Sequence, residues 1–168
     1  ALHPKVAQAL IPKIIRAKNM SEHAEQLELG QMAFRQTEQF IQDIAITELA
    51  KLGKATDWQS KYRIIMQLGK QLPALANEDK TEQTLVRGCE SAAWLLLSTK
   101  PLQFAFDSEA RVVKGIISLV LASWYQQDKN ADFLQLWQQL GLGAELSPSR
   151  NNGVFAVLSL MQQAQQSA

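Results

Sequence analysis

Histidine and cysteine are the scarce residues of this chain, with two of the first, His3 and His23, and one of the second, Cys89. One thiol cannot close an internal disulfide, and a zinc site needs about four suitable ligands, which the surroundings of Cys89 do not offer. A Cys–His dyad needs an imidazole within hydrogen-bond reach of the sulfur, and both histidines lie far upstream. Gly-x-Gly-x-x-Gly, the P-loop Gly-Lys-Ser/Thr and Gly-x-Ser-x-Gly are all missing. Dinucleotide enzymes, P-loop nucleotidases, zinc enzymes and hydrolases therefore lose support together. No apolar run approaches the roughly 20 residues that span a bilayer, and residues 1–19 lack the continuous apolar stretch of a signal peptide. An excess of either charge is also missing. Lys and Arg total 17 against 16 Asp and Glu, a net +1 that gives no electrostatic argument for nucleic acid or membrane. One unpaired cysteine without an export signal points to a reducing compartment, the cytoplasm.

What is present is an ordinary globular composition, 46% hydrophobic and 20% charged over 168 residues, enough for one domain with a proper core. Residues 1–19 carry Lys5, Lys13, Arg16 and Lys18 and no acid. Val6, Leu10, Ile14 and Ile15 share a helical face interrupted by Pro12, which predicts a docked or loosely held N-terminal helix; a basic helix touching a membrane surface or a partner is the alternative. Met20 and Met32 are each a possible alternative start.

Residues 21–52 read as helical throughout, with Ser21 as a cap, Gly30 as a point of division and Gly53 as the stop. Asp57 can cap a second helix, Trp58 to Leu72, with an apolar stripe of Trp58, Tyr62, Ile65, Met66, Leu68 and Leu72 ahead of Pro73. Three short strands are expected next, over 84–87, 92–97 and 102–106, the last two joined by a turn at 98–101. Asp107 or Ser108 can cap an apolar helix to about Gln127, whose Gly115 is read as permitting close approach to the sheet. Asn130 can cap the next helix, ended by Gly141 and Gly143, and Ser147-Pro148 opens the last one. The expected class is α+β: a short three-stranded antiparallel sheet packed against helices, with a helical N-terminal extension over 1–52 and the main domain over 53–168.

Cys89 sits in Val86-Arg87-Gly88-Cys89-Glu90-Ser91. It reads either as a small buried apolar residue or as a nucleophile. With no base of its own, such a thiol suits exchange chemistry in which a partner brings the electrophile. Arg87 would share a strand face with Cys89 and favour the thiolate, whereas Glu90 would oppose it. Gly88 is either a plain turn glycine or one that permits a left-handed backbone. Arg150 on its own reads as a solvated arginine.

Several stretches together resemble one family. They are Trp58-Gln59-Ser60-Lys61-Tyr62, Leu68-Gly69-Lys70-Gln71-Leu72-Pro73, the Cys89 motif with Trp94, Asp107-Ser108-Glu109-Ala110 with Val113-Lys114-Gly115, and Leu140-Gly141-Leu142 with Leu146-Ser147-Pro148-Ser149-Arg150 and Gly153. In this order they resemble the SufE/CsdE sulfur-acceptor proteins from about Asp57 to Gln162. The resemblance implies a persulfide on Cys89, taken from a pyridoxal-phosphate cysteine desulfurase that the acceptor also stimulates. The sulfur then goes to an iron–sulfur scaffold or a tRNA-modification acceptor. The pyridoxal phosphate belongs to the partner, and no cofactor or metal is expected on this chain. Arg150 matches an arginine implicated in the desulfurase contact, and Asp107 an aspartate at the base of the cysteine loop that influences its mobility. Ala92-Ala93 and Phe106 depart from the family pattern, as does the segment before about Met32, but none removes a residue the chemistry needs. The competing readings are a non-catalytic adaptor that activates a desulfurase by docking, with Cys89 structural, and a thiol peroxidase or redox sensor.

Overall fold

A computed structural model of the chain describes residues 20–127 and 129–168, with side chains described from residue 30 onward. The basic helix expected within residues 1–19 lies outside the described residues. Helix α1 (Met20–Phe40) passes through Gly30 without a break and continues, by a π turn at Ile41–Ala45, into α2 (Ile46–Lys54). Helix α3 (Trp58–Gln71) starts where the Asp57 carboxylate accepts the Ser60 amide hydrogen bond. A hairpin of β1 (Ala93–Thr99) and β2 (Leu102–Ser108) follows, then α4 (Arg111–Gln126), α5 (Phe133–Leu140) and α6 (Pro148–Ser167). No helix among the described residues is long and apolar enough to cross a membrane.

The class is α+β, but the sheet has two strands, not three. The expected strand over 84–87 is reduced to a single bridge, Leu85 to Trp94. The chain enters that segment from a turn, with the Leu85 amide on the Thr81 carbonyl at 2.9 Å, and leaves it at Gly88 with φ +94°. Too little extended backbone remains between the two for a ladder.

A lone hairpin is marginal in water; this one has both faces covered. Register pairs Leu95 with Phe106 and Leu97 with Phe104, and these four enter the main core with α4 and α6 residues such as Ile116, Val157 and Leu158. On the other face Leu96 and Ala105 pack with Phe34 of α1 and with Leu75. Phe40, Ile41, Ala45 and Leu52 belong to the same main core, so the N-terminal helices are built into it.

Three details differ from expectation. Pairing with Ala93 extends β2 to Ser108, so α4 begins only at Arg111, and the Ser108 hydroxyl accepts from the Ala110 amide at 3.0 Å. Asp132, not Asn130, caps α5. The exposed Tyr62 lies outside the buried face of α3, which is Ile65, Leu68 and Gly69.

Gly115 does mark a close approach, but to α3 instead of the sheet. A Cβ there would collide with the Ile65 carbonyl, and a Cβ at Gly69 would collide with the Arg111 carbonyl. The two helices thus each press a glycine against the other's backbone. Replacing Gly115 by Ala should destabilise the fold by about 2–3 kcal/mol in urea unfolding, because overpacking outweighs the gain in helix propensity. Gly53→Ala, with open space around it, should be neutral or stabilising by up to ~1 kcal/mol.

Candidate functional site

The Cys89 loop is closed at its stem by two backbone hydrogen bonds, Val86 amide to Ala93 carbonyl and Leu95 amide to Thr84 carbonyl, both 2.8 Å. Gly88 turns the chain with φ +94°, a left-handed conformation that disfavours any side chain. Beyond it Cys89 points inward. Its Sγ lies 3.7 Å from the Gly153 carbonyl oxygen on α6. Ala93, Ser108, Val113, Arg150 and Gly153 help line the small cavity around it. The thiol is half-buried, and burial pushes its pKa up from the ordinary cysteine value.

Helix α6 holds this loop down. Ser147 caps it by accepting from the Arg150 amide at 3.2 Å, and Pro148 opens its first turn. The next two residues of that turn reach the loop: Ser149 Oγ donates to the Glu90 carboxylate at 2.7 Å, and Arg150 Nη1 donates to Ser91 Oγ at 3.2 Å. The Ser-Pro-Ser-Arg spacing thus sets a helix start and a latch at once.

Arg87 is placed elsewhere. It is exposed and lines a separate, largely apolar groove of about 200 Å³ with Gln83, Leu85, Ala156 and Leu160. A regular strand would have put residues 87 and 89 on one face, but the turn at Gly88 breaks the alternation. Glu90 is committed to Ser149, and Arg150 is brought to the thiol cavity.

Asp107 is buried at the end of β2, only 4% exposed. Its carboxylate accepts from the amides of Leu75 (3.0 Å) and Ser108 (2.8 Å) and pairs with Lys80 (3.1 Å) and Lys114 (3.3 Å). Burial alone would raise its pKa, but the Leu75 amide, the Lys114 charge, the Lys80 side chain and the Ser108 amide together hold it below the ordinary carboxylate range. Beside it, Ser108 Oγ donates to the Ala92 carbonyl at 3.1 Å, which ties the strand end to the outgoing stem of the cysteine loop.

Roles for Ser149, Ser91, Gly153 and Val113 were not assigned from sequence. The first-turn position of Ser149, next to Arg150, is the signal that would have found it. Lys80, on a loop far from Asp107 in sequence, gives no such signal.

Two outcomes are expected. The pH midpoint for alkylation of Cys89 should lie higher in the folded protein than in the urea-unfolded chain; a folded midpoint below pH 6 would contradict the burial seen here. Asp107→Asn should cost about 2–3 kcal/mol at neutral pH. Because the folded pKa of Asp107 is depressed, its contribution is complete above the unfolded carboxylate pKa of about 4 and is lost as pH falls from there through the folded value. The acid-side loss of stability should therefore be shallower in Asp107→Asn.

Comparison with known proteins points to one family. The family profile described as "SufE: Fe-S metabolism associated domain" matches residues 46–165. The sulfur acceptor protein CsdE of Escherichia coli is 39% identical over 111 residues, covering 61% of this chain and 74% of the relative. An uncharacterized SufE-like protein of Rhizobium etli is 33% identical over 112 residues, covering 61% of this chain and 76% of the relative. With the matched stretch containing the cysteine loop, the hairpin and helices α3 to α6 almost entirely, the chain belongs to the SufE family.

Proposed function

We propose that this protein is a sulfur acceptor for a cysteine desulfurase, with Cys89 as the carrier atom's attachment point. The observation that carries the reading is a lone thiol on a latched loop, with no imidazole among the described side chains to serve as its base. Such a thiol is poorly suited to hydrolysis and well suited to exchange with a sulfur that a partner delivers. The match to a named sulfur acceptor supports the same role.

In the transfer, the Cys89 thiolate attacks the outer sulfur of a persulfide on the desulfurase. A new S–S bond forms on Cys89, the donor's S–S bond breaks, and the donor leaves as a thiolate that takes up the proton Cys89 gave away. There is no net oxidation, and no cofactor is needed on this chain; the pyridoxal phosphate that generates the donor persulfide belongs to the desulfurase. The same exchange then hands the sulfur to an iron–sulfur assembly scaffold or another sulfur-transfer acceptor such as one for tRNA modification, in the cytoplasm.

An unperturbed thiol is only about 7% thiolate at pH 7.4, and burial lowers that fraction in the latched loop. Activation therefore accompanies opening, when Glu90 and Ser91 leave Ser149 and Arg150. Arg150 is then released to pair with a carboxylate of the desulfurase, while Arg87 and Gly88 flank the exposed thiol.

The half-buried, carbonyl-bonded thiol is also what a structural cysteine would look like, and it favours one second reading: an adaptor that stimulates the desulfurase by docking alone. Alanine production by a cysteine desulfurase separates the two. For a carrier, Cys89→Ser should abolish stimulation while complex formation persists. For an adaptor, stimulation should survive the substitution undiminished.

A further inference from the structure

We infer that the apolar groove beside the cysteine loop is a docking site for the persulfide donor, taking one large apolar side chain of that protein with a neighbouring carboxylate on Arg87. The inference rests on the carrier reading above and adds where the donor is held and what chemistry its surface must offer.

Helix α6 carries the thiol site and the groove along one side. Cys89 lies over Gly153. Gly88 lies over Ala156, where a methyl group on the glycine would stand 3.5 Å from the Ala156 Cβ. Ala156, Ser159 and Leu160 then line the groove from α6, together with Leu85, Arg87 and Leu95 from the loop stem and β1. These α6 positions follow Gly153 by three to seven residues, roughly 5–10 Å along the helix axis. A protein that brings a persulfide sulfur to Cys89 covers about 800 Å² of this chain in an interface of ordinary size. Such a patch is wider than that distance, so the donor lies across the groove as well.

The chemistry of the groove selects the contact. Its volume, about 200 Å³, falls below the roughly 300–1,000 Å³ of small-molecule pockets and suits a single anchoring side chain. Phe155, 57% exposed, precedes Ser159 by one helical turn and extends the apolar surface at the rim. Among the described residues that line the groove, Arg87 alone is charged, and its guanidinium pairs with no carboxylate among the described residues. An acid on the occupant completes it. The same charge argues against two other occupants. Residues 1–19 of this chain carry four cations and no acid. A second copy docked groove to groove brings another Arg87 and no acid from the lining. Thr84 and Leu95 belong to the hydrogen-bonded stem, so the groove exists while the loop is latched, and docking does not wait for release of the thiol.

Binding measurements with the cysteine desulfurases of the source organism, in their pyridoxal-phosphate form, test this. Arg87→Glu should raise Kd about tenfold, and Ser159→Tyr, which fills the groove, should do the same. Wild-type affinity in either variant would overturn the inference and leave the carrier reading standing. No binding by the wild type would overturn both. Self-association of the protein that Ser159→Tyr abolishes would give the groove to a second copy, and would overturn the inference too. Arg87 is exposed, so Arg87→Glu decides the matter even if Ser159→Tyr does not fold.

Discussion

The buried carboxylate of Asp107 is the interaction on which the site's frame depends. Four groups converge on it: the Leu75 amide, the Ser108 amide, and the ammonium groups of Lys80 and Lys114. They come from the segment after α3, from the strand end and from the first turns of α4. Taking a carboxylate out of water costs several kcal/mol, and this many charge-assisted partners are what offset it. Lys80 is held further by the ring of Trp94, 5.0 Å from its Nζ, directly across the hairpin from Asp107. One anion thus fixes where the hairpin ends and where α4 begins. Ser108 and Ala92, the outgoing stem of the cysteine loop, follow from that placement.

A second contrast, between a stiff frame and a lightly held loop, links the fold to its chemistry. Helices α3 and α4 meet backbone to backbone at Gly69 and Gly115, and α4 forms one wall of the thiol cavity. The loop across that cavity is secured by Ser149 and Arg150, each through one side-chain hydrogen bond, which contributes only about 0.5–1.5 kcal/mol net. A neutral thiol is favoured while the loop is down, and on the proposed carrier reading the loop lifts for exchange. The proposed sulfur exchange would use that arrangement in place of a resident base, with the electrophile brought by the partner.

Much of this was legible in local sequence chemistry. Asp57 and Ser147 cap the helices they were expected to cap, and Gly141 ends α5 with φ +67°. The hairpin faces follow the alternation of Trp94 and Leu96 against Phe104 and Phe106. What failed depended on distant contacts. The strand over 84–87 loses its ladder to a turn at Thr81 and a kink at Gly88. The start of α4 shifts because sheet pairing claims Asp107 and Ser108 before a helix can use them as caps. Gly115 revealed that something approaches closely, but not that it is α3. At the site, Cys89, Glu90 and Arg150 come together as one cluster, while Arg87 turns to a separate groove once the strand geometry that would have aimed it is lost. The partners of Asp107 were hidden for the same reason, since Lys80 and Leu75 reach it only through the folded chain.

The most direct measurement is the intact mass of the protein after incubation with a cysteine desulfurase, pyridoxal phosphate and cysteine. A sulfur carrier gains one sulfur, about 32 Da, which reduction removes and Cys89→Ser never acquires. An unchanged mass, with desulfurase turnover still stimulated, would contradict transfer through Cys89 and leave docking as the function.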